Sequence, residues 1–339
     1  MSNHRIHAAL LLFLLVALGG CATDNSVINQ AAAANQQLQP AIMNDAQLAN
    51  YIQTLGDRIV AAGKRADQAG MGPSGHTKED SAWMFSNKMQ FHIVNSKTVN
   101  AFTTGGEHMY VYNALFQMCT SEDELAAVMS HEFAHVYCRH VQAGTNRQYA
   151  QLGAAGAAAV AGYAVGGKEN GATYASTAGS GTLALAKYFG MGYTRHDEAQ
   201  ADEWGFIFYC VAGWDPDHFG DFFQAMIDAG YDKTPTEQSD HPMLKDRVAA
   251  AKQRAAEWKQ KHDDQFHQPP IADQATFAQL KQRAAQIAAS TPDDASLQKA
   301  QGLLASFSSC VSPADTQPEQ VRVRQRAEEA MQKQQQQSQ

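Results

Sequence analysis

Two histidines four residues apart flank a glutamate in the segment VMSHEFAHVYCRH, which occupies positions 128–140. On a helix, His131 and His135 lie about one turn apart and present their ring nitrogens on the same side. Two such nitrogens can bind one divalent ion, and imidazole is a preferred ligand of zinc. Glu132 lies between them and can accept a proton from a water molecule at an open coordination position. The spacing therefore predicts a zinc site with hydrolytic chemistry.

The helix that would carry these residues has a recognisable start and an apolar face. Ser121 and Glu124 match the capping-box pattern that begins many helices. One stripe along this helix contains Leu125, Val128, Glu132 and His135. Burying imidazoles and a carboxylate on an apolar face costs free energy, which a bound metal would offset. The alternative is that both histidines are hydrogen-bonded or solvent-exposed helix residues.

A third protein ligand is expected from the later segment YTRHDEAQADEWG, at positions 193–205. Glu198 and Asp202 stand four residues apart there, and Glu198 would complete a His₂Glu site with one open position. Asp202 could then accept the outer N–H of a ligating histidine. The alternative is a solvated helix face, but several residues indicate partial burial: Ala199, Ala201, Trp204 and Phe206.

Four segments occur in the order typical of one enzyme family: NAFTTGGEHMYVYNAL, DELAAVMSHEFAHVYCRH, TRHDEAQAD and DHPMLKDR. With these segments the chain resembles the zinc metallopeptidases of family M48, the HtpX and CAAX-prenyl-protease type, over roughly residues 46–250. The resemblance implies that His131, His135 and Glu198 bind one Zn²⁺ per chain and that Glu132 is the general base. It also implies a mostly helical α+β fold: a zincin-like domain with a small β-sheet, the HExxH helix and C-terminal helices.

The same family has a histidine before a proline, followed by an arginine, which match His241, Pro242 and Arg247. The resemblance implies that His241 donates to the developing oxyanion or gates the metal, and that Arg247 assists. A helix-capping role for the segment around His241 is the alternative, because a proline at the first helical position fixes the preceding residue in an extended conformation.

The segment TTGGEHMYVY resembles the edge strand with which such peptidases hold an extended substrate through backbone pairing. Glycines would let a second backbone approach closely, whereas the alternative is an ordinary hairpin turn. The residues assigned to this strand are Gly105, Gly106, His108 and Tyr110.

The chain departs from the family pattern at Gln200, which replaces the second acid of E-x-E-A-D. Cys138 could also approach the metal and close the site, although an exported thiol more often forms a disulfide. His140 is expected beside the ligands or at the surface. Apart from Cys21, the cysteines are Cys119, Cys138, Cys210 and Cys310, which allow three disulfide pairings or isolated buried thiols.

The first residues, MSNHRIHAALLLFLLVALGGC, have the composition of an export signal. The apolar run at 8–18 is too short to span a bilayer comfortably, which argues against a transmembrane anchor. LGGC resembles the lipobox of bacterial lipoproteins, which implies lipidation of Cys21. Ala22, rather than an aspartate, follows the cysteine, and by resemblance this favours the outer membrane, facing the periplasm.

The chain divides into five expected regions. Residues 1–20 are interpreted as a lipoprotein signal peptide, 21–45 as a tether, 46–250 as the metallopeptidase domain, 251–317 as a C-terminal helical extension and 318–339 as a Gln-rich disordered tail.

A net charge of −8 without a basic cluster excludes a nucleic-acid partner. The leading hypothesis is a lipid-anchored zinc endopeptidase that cleaves unfolded or misassembled envelope proteins in quality control. Its partners would be polypeptide substrates, the membrane through Cys21, and envelope-assembly proteins. The alternative is a non-proteolytic lipoprotein that uses a zinc-stabilised groove as a chaperone or assembly factor.

Overall fold

A computed structural model describes residues 23–72, 82–147, 193–231, 243–262, 265–305 and 307. Its helices are α1 (Asp24–Leu38), α2 (Ala46–Ala69), α3 (Asn113–Met118), α4 (Glu122–Tyr137), α5 (Arg195–Ala212), α6 (Asp221–Asp228), α7 (Leu244–His262), α8 (Gln274–Ser290) and α9 (Ala295–Leu304). Its strands are β1 (Gln90–Val94), β2 (Ala101–Thr103) and β3 (His108–Tyr112). The predicted mostly helical α+β fold with a small sheet is confirmed.

Helix α4 carries the paired histidines and lies at the centre of the molecule. The Ser121 hydroxyl accepts from the Glu124 amide at 3.3 Å and caps the helix. The Glu124 carboxylate accepts instead from the amide and hydroxyl of Thr120, so the cap differs in detail from the predicted reciprocal box. Every residue from Leu125 to Tyr137 is buried. A helix buried all round must satisfy its polar side chains internally.

Helix α5 packs directly across α4 because a glycine lies at the crossing. A Cβ on Gly205 would lie 2.8 Å from the Cα of His131 and 2.9 Å from its backbone nitrogen. The close approach brings the first turn of α5 beside the histidines of α4. That turn is fixed by a capping box in which the Thr194 hydroxyl accepts from the Asp197 amide at 3.1 Å.

The sheet order corrects the prediction for the substrate edge strand. The order is β1-β3-β2, with β1 parallel and β2 antiparallel to β3. Strand β3 is therefore the central strand, and its backbone, which includes His108 and Tyr110, is already paired on both sides. The edge-strand assignment of these two residues is wrong, since a central strand has no free hydrogen-bonding edge for a substrate.

Gly105 and Gly106 lie in the turn that joins β2 to β3, as the hairpin alternative predicts. Both are buried: a Cβ on Gly105 would meet Val141, and one on Gly106 would lie 2.7 Å from the Ala31 Cβ. Gly105 also has a φ of 72°, which glycine adopts without strain. These glycines let helix α1 and the segment after α4 close over the hairpin.

Helix α1 was not expected, since residues 21–45 read as a tether. Its apolar residues recur at helical spacing and are fully buried: Val27, Ala31, Ala34 and Leu38. Val27, Ala34 and Leu38 pack with β3 and α9 in a second hydrophobic cluster beside the main core. The amphipathic pattern is weak in the sequence because many of its apolar positions are alanines, and alanine contributes little contrast between apolar and polar faces.

At the C-terminal side, helix α7 runs without a break through position 250, where we placed a domain boundary. Cys119, Cys138 and Cys210 are free thiols, so none of these three is paired with another. None of the helices in the described part of the chain is long and apolar enough to cross a membrane. The predictions for the leader and Cys21, for His241, for Cys310 and for the 318–339 tail lie outside the described residues.

Candidate metal centre and active site

The structure brings His131, His135 and Glu198 together in the interior of the molecule. The two Nε2 atoms lie 3.0 Å apart, and the Glu198 carboxylate oxygens lie 3.5 Å from His131 Nε2 and 3.8 Å from His135 Nε2. Ligand atoms about 2.0–2.2 Å from one tetrahedral ion are separated by roughly 3.3–3.6 Å. The observed spacing and the donor set of two imidazoles and one carboxylate therefore fit a zinc ion.

All three of these side chains are fully buried, as is Glu132. In the part of the chain that the structure describes, this is the group of three that could hold a metal, and Cys138 is not a member. Burial raises the pKa of the Cys138 thiol, which disfavours the thiolate that a metal would need.

A buried ion pair supports His131 from behind. Asp202 Oδ1 lies 2.9 Å from His131 Nδ1, the contact that the sequence predicts for this residue. Arg247 donates to both Asp202 oxygens, with distances of 2.9 Å from Nε and 2.6 Å from Nη2. Its guanidinium also stacks on Phe223 at 3.9 Å. A carboxylate held in this way fixes the orientation of the imidazole.

Arg247, which by resemblance assists His241, contacts two carboxylates of the centre. Its guanidinium is engaged with Asp202, and its Nη1 lies 3.8 Å from Glu198 Oε2. The residue is 4% exposed. Arg247 is therefore placed to hold two carboxylates of the centre.

The charges around the site act in opposite directions on the two histidines. Burial alone would lower the pKa of His131, but hydrogen bonds with Asp202 and Glu198 raise it to about 9. Burial lowers the pKa of His135 well below its usual range, and the neighbouring His131 adds to this effect. Burial opposes ionisation of Asp202, yet the Arg247 charge holds its pKa below the usual value. A metal binds an imidazole nitrogen only when that nitrogen carries no proton.

Two aromatic rings contact His135: Tyr193, which no motif indicates, and His140, which the sequence places beside the ligands or at the surface. The Tyr193 ring stacks on His135 with centroids 3.8 Å apart and planes inclined by 23°. His140 Nδ1 lies 2.8 Å from His135 Nδ1, while His140 Nε2 lies 2.9 Å from Gln200 Oε1. Burial lowers the pKa of His140 and so favours the neutral ring.

His108, in contrast, lies away from the metal group and contacts the sheet. Its Nδ1 is 3.1 Å from His92 Nε2 on the parallel neighbour strand β1. Burial lowers the pKa of both rings to about 4. This pair belongs to the packing of the sheet rather than to the metal centre.

Two histidines and a glutamate on crossing helices, beside a small sheet, define the class of zincin-like metallopeptidases. The sequence profile of Peptidase family M48 matches residues 78–255. The chain belongs to this family.

Two bacterial proteases that resemble the chain support its membership of this family. The chain is 31% identical to the putative beta-barrel assembly-enhancing protease of Vibrio cholerae over 225 residues, which are 65% of this chain and 41% of the relative. It is 30% identical to the beta-barrel assembly-enhancing protease of Escherichia coli K12 over 220 residues, 63% and 40% of the two chains. The chain therefore spans about two fifths of the length of these relatives.

A shorter match is to the mitochondrial metalloendopeptidase OMA1 of Schizosaccharomyces pombe. The identity is 42% over 53 residues, which are 16% of each chain.

Proposed function

We propose that the chain is a zinc-dependent endopeptidase that hydrolyses peptide bonds in unfolded or misassembled polypeptides. The single observation that carries the proposal is the convergence of His131, His135 and Glu198, with all ligand atoms within 4.8 Å of one another. Glu132 lies between the two histidines in sequence and supports the enzymatic interpretation, because a purely structural zinc site needs no general base.

The residues of the chain have separate roles in this proposal. His131, His135 and Glu198 would hold the ion. When bound, zinc acts as a Lewis acid, which polarises a carbonyl and lowers the pKa of a bound water. Glu132 accepts the proton of the attacking water and passes it to the leaving amine. Asp202 and Arg247 keep His131 and Glu198 oriented. His241, by resemblance, donates to the oxyanion or gates the ion.

The cellular setting is part of the proposal. Two relatives are named as proteases that enhance beta-barrel assembly. Together with the lipobox-like segment LGGC, this favours a lipoprotein anchored through Cys21 to the outer membrane and facing the periplasm. There it would act in quality control on envelope proteins and contact the envelope-assembly proteins. Residues 46–250 would form the peptidase domain, extended by the C-terminal helices.

The Glu132→Gln variant tests the assigned base. Because the amide keeps the shape of the side chain but cannot accept the proton, we expect normal zinc content and at least a hundredfold slower cleavage of an unfolded test protein. Zinc content is measured on the purified chain and cleavage is followed with a fluorescent casein. Glu257→Gln, an exposed position on α7, is the matched control and should cleave normally. Equal cleavage by Glu132→Gln would refute the proposed role, and zinc binding without cleavage by the wild type would favour the chaperone alternative.

A further inference from the structure

The two imidazoles of the proposed metal site are supported by different partners. His131 has its outer nitrogen on Asp202, a carboxylate. His135 has its outer nitrogen, Nδ1, on another imidazole, His140, at 2.8 Å. Its Nε2 faces the other ligands, so Nδ1 carries the proton when Nε2 binds a metal.

This protonation fixes the direction of the next two hydrogen bonds. If His135 Nδ1–H donates, then His140 Nδ1 must accept, and the proton of the neutral His140 ring lies on Nε2. His140 Nε2–H then donates to Gln200 Oε1 at 2.9 Å. The hydrogen bonds therefore run from His135 to His140 and from His140 to Gln200, and each donor has one acceptor.

The backbone places His140 through an unusual turn. Arg139 lies two residues beyond the end of α4 and has a φ of 55°, the only positive φ of a non-glycine residue in the described ranges. This turn lets the ring of His140 contact His135, five residues earlier. Left-handed backbone at arginine requires external support.

That support comes from helix α1. The Asp24 carboxylate accepts from Arg139 Nε and Nη2, both at 3.2 Å, and from Gln142 Nε2 at 2.9 Å. It also accepts from Trp83 Nε1 at 2.8 Å. One carboxylate therefore holds side chains on both sides of His140 in the sequence.

We propose that His140 is a positioning residue for His135, oriented by Gln200 and by the Arg139–Asp24 contact. The inference rests on the proposed metal site. It assigns a function to the departure from the family pattern, since Gln200 supplies a neutral acceptor where the pattern has an acid. A carboxylate at this position would strengthen the hydrogen bond and make the His135 ring a stronger ligand.

Zinc affinity of the full-length chain, freed of metal with a chelator, tests the inference independently of peptidase activity. Kd is measured by competition with a chromophoric zinc chelator. We expect His140→Leu to weaken binding by about 10–100-fold, whereas His140→Gln should stay within a few-fold because its amide oxygen can accept the His135 proton. Gln200→Leu should weaken binding and Gln200→Glu should tighten it. His196→Leu, at an exposed position on α5, is the matched control.

If His140 only stabilised the fold, its substitution would lower the melting temperature of the metal-free chain. The zinc affinities of the His140 and Gln200 variants would then not follow the expected order. The inference is overturned if folded His140→Leu binds zinc as the wild type does. If His140→Leu does not fold, the two Gln200 variants decide, and equal affinities for them overturn it. Absence of zinc binding by the wild type would instead defeat the proposed function itself and the inference with it.

Discussion

At the scale of single residues, local spacing predicted the parts of the centre that lie on one helix turn. His131 and His135 are four apart on α4, as are Glu198 and Asp202 on α5, and the structure brings all four together. For His140 the sequence left two places open, beside the ligands or at the surface, and its contact with His135 could not be predicted from spacing. This contact depends on the left-handed backbone at Arg139, and the residue types around Arg139 do not indicate such a conformation.

Arg247→Lys tests the buried ion pair at this scale. Lysine keeps the charge but cannot donate to both oxygens of Asp202 in the fork that the guanidinium forms. We expect zinc affinity to fall by about tenfold and kcat/KM to fall with it. The same substitution at Arg254, two turns further along α7, is the control. Unchanged zinc affinity in Arg247→Lys would show that the guanidinium does not hold the centre.

At the scale of elements, the sequence predicts which segments form helices and strands better than it predicts which elements pair or pack with one another. The sequence correctly predicts a strand at β3, but a strand pattern carries no information on sheet order, so β3 was taken for an edge strand. Strand β3 is buried on both faces and paired on both sides. It also brings His108 into contact with His92 of the neighbouring strand.

The histidine pair of the sheet makes stability depend on pH. His92 and His108 have a folded pKa of about 4, below the unfolded value of about 6.5, so the unfolded chain binds more protons between these limits. Their contribution is fully present above about pH 6.5 and is lost as pH falls through about 4. The free energy of unfolding should fall by about 1.4 kcal/mol per pH unit for each histidine. Urea titrations from pH 7 to pH 4 measure this slope.

The double variant His92→Gln, His108→Gln is the comparison for that slope. It removes both titrating rings, so its stability should decline less steeply than that of the wild type over the same range. Parallel declines would mean that other groups, not this pair, set the acid sensitivity.

At the scale of the whole molecule, distant segments complete the peptidase region. The Tyr112 hydroxyl donates to the Leu304 carbonyl at 2.6 Å, and Glu122 accepts from the amides of Ile271 and Ala272, both at 2.7 Å. Such contacts join the C-terminal part of the chain to strand β3 and to the start of α4. Sequence patterns describe neighbours within one element, so these long-range contacts could not be predicted from them.

Membrane attachment is tested at this scale by Cys21→Ser. The proposed lipidation requires the thiol, so the variant should move from the membrane fraction to the soluble fraction after cell lysis. Immunoblots of sedimented membranes measure the distribution, and Cys210→Ser, a buried thiol, is the control for loss of a cysteine. Unchanged sedimentation of Cys21→Ser would rule out a lipid anchor at this residue.

Helix α1 sets how far from a bilayer the enzyme could work. Asp24, which holds Arg139, follows Cys21 by only three positions. Three extended residues reach no more than about 10 Å. Under the proposed lipidation, Asp24 and the Arg139 turn that it supports would therefore be held close to the lipid headgroups. Cleavage would then take place close to the membrane surface, where a stalled polypeptide is already held and a soluble one must first arrive by diffusion.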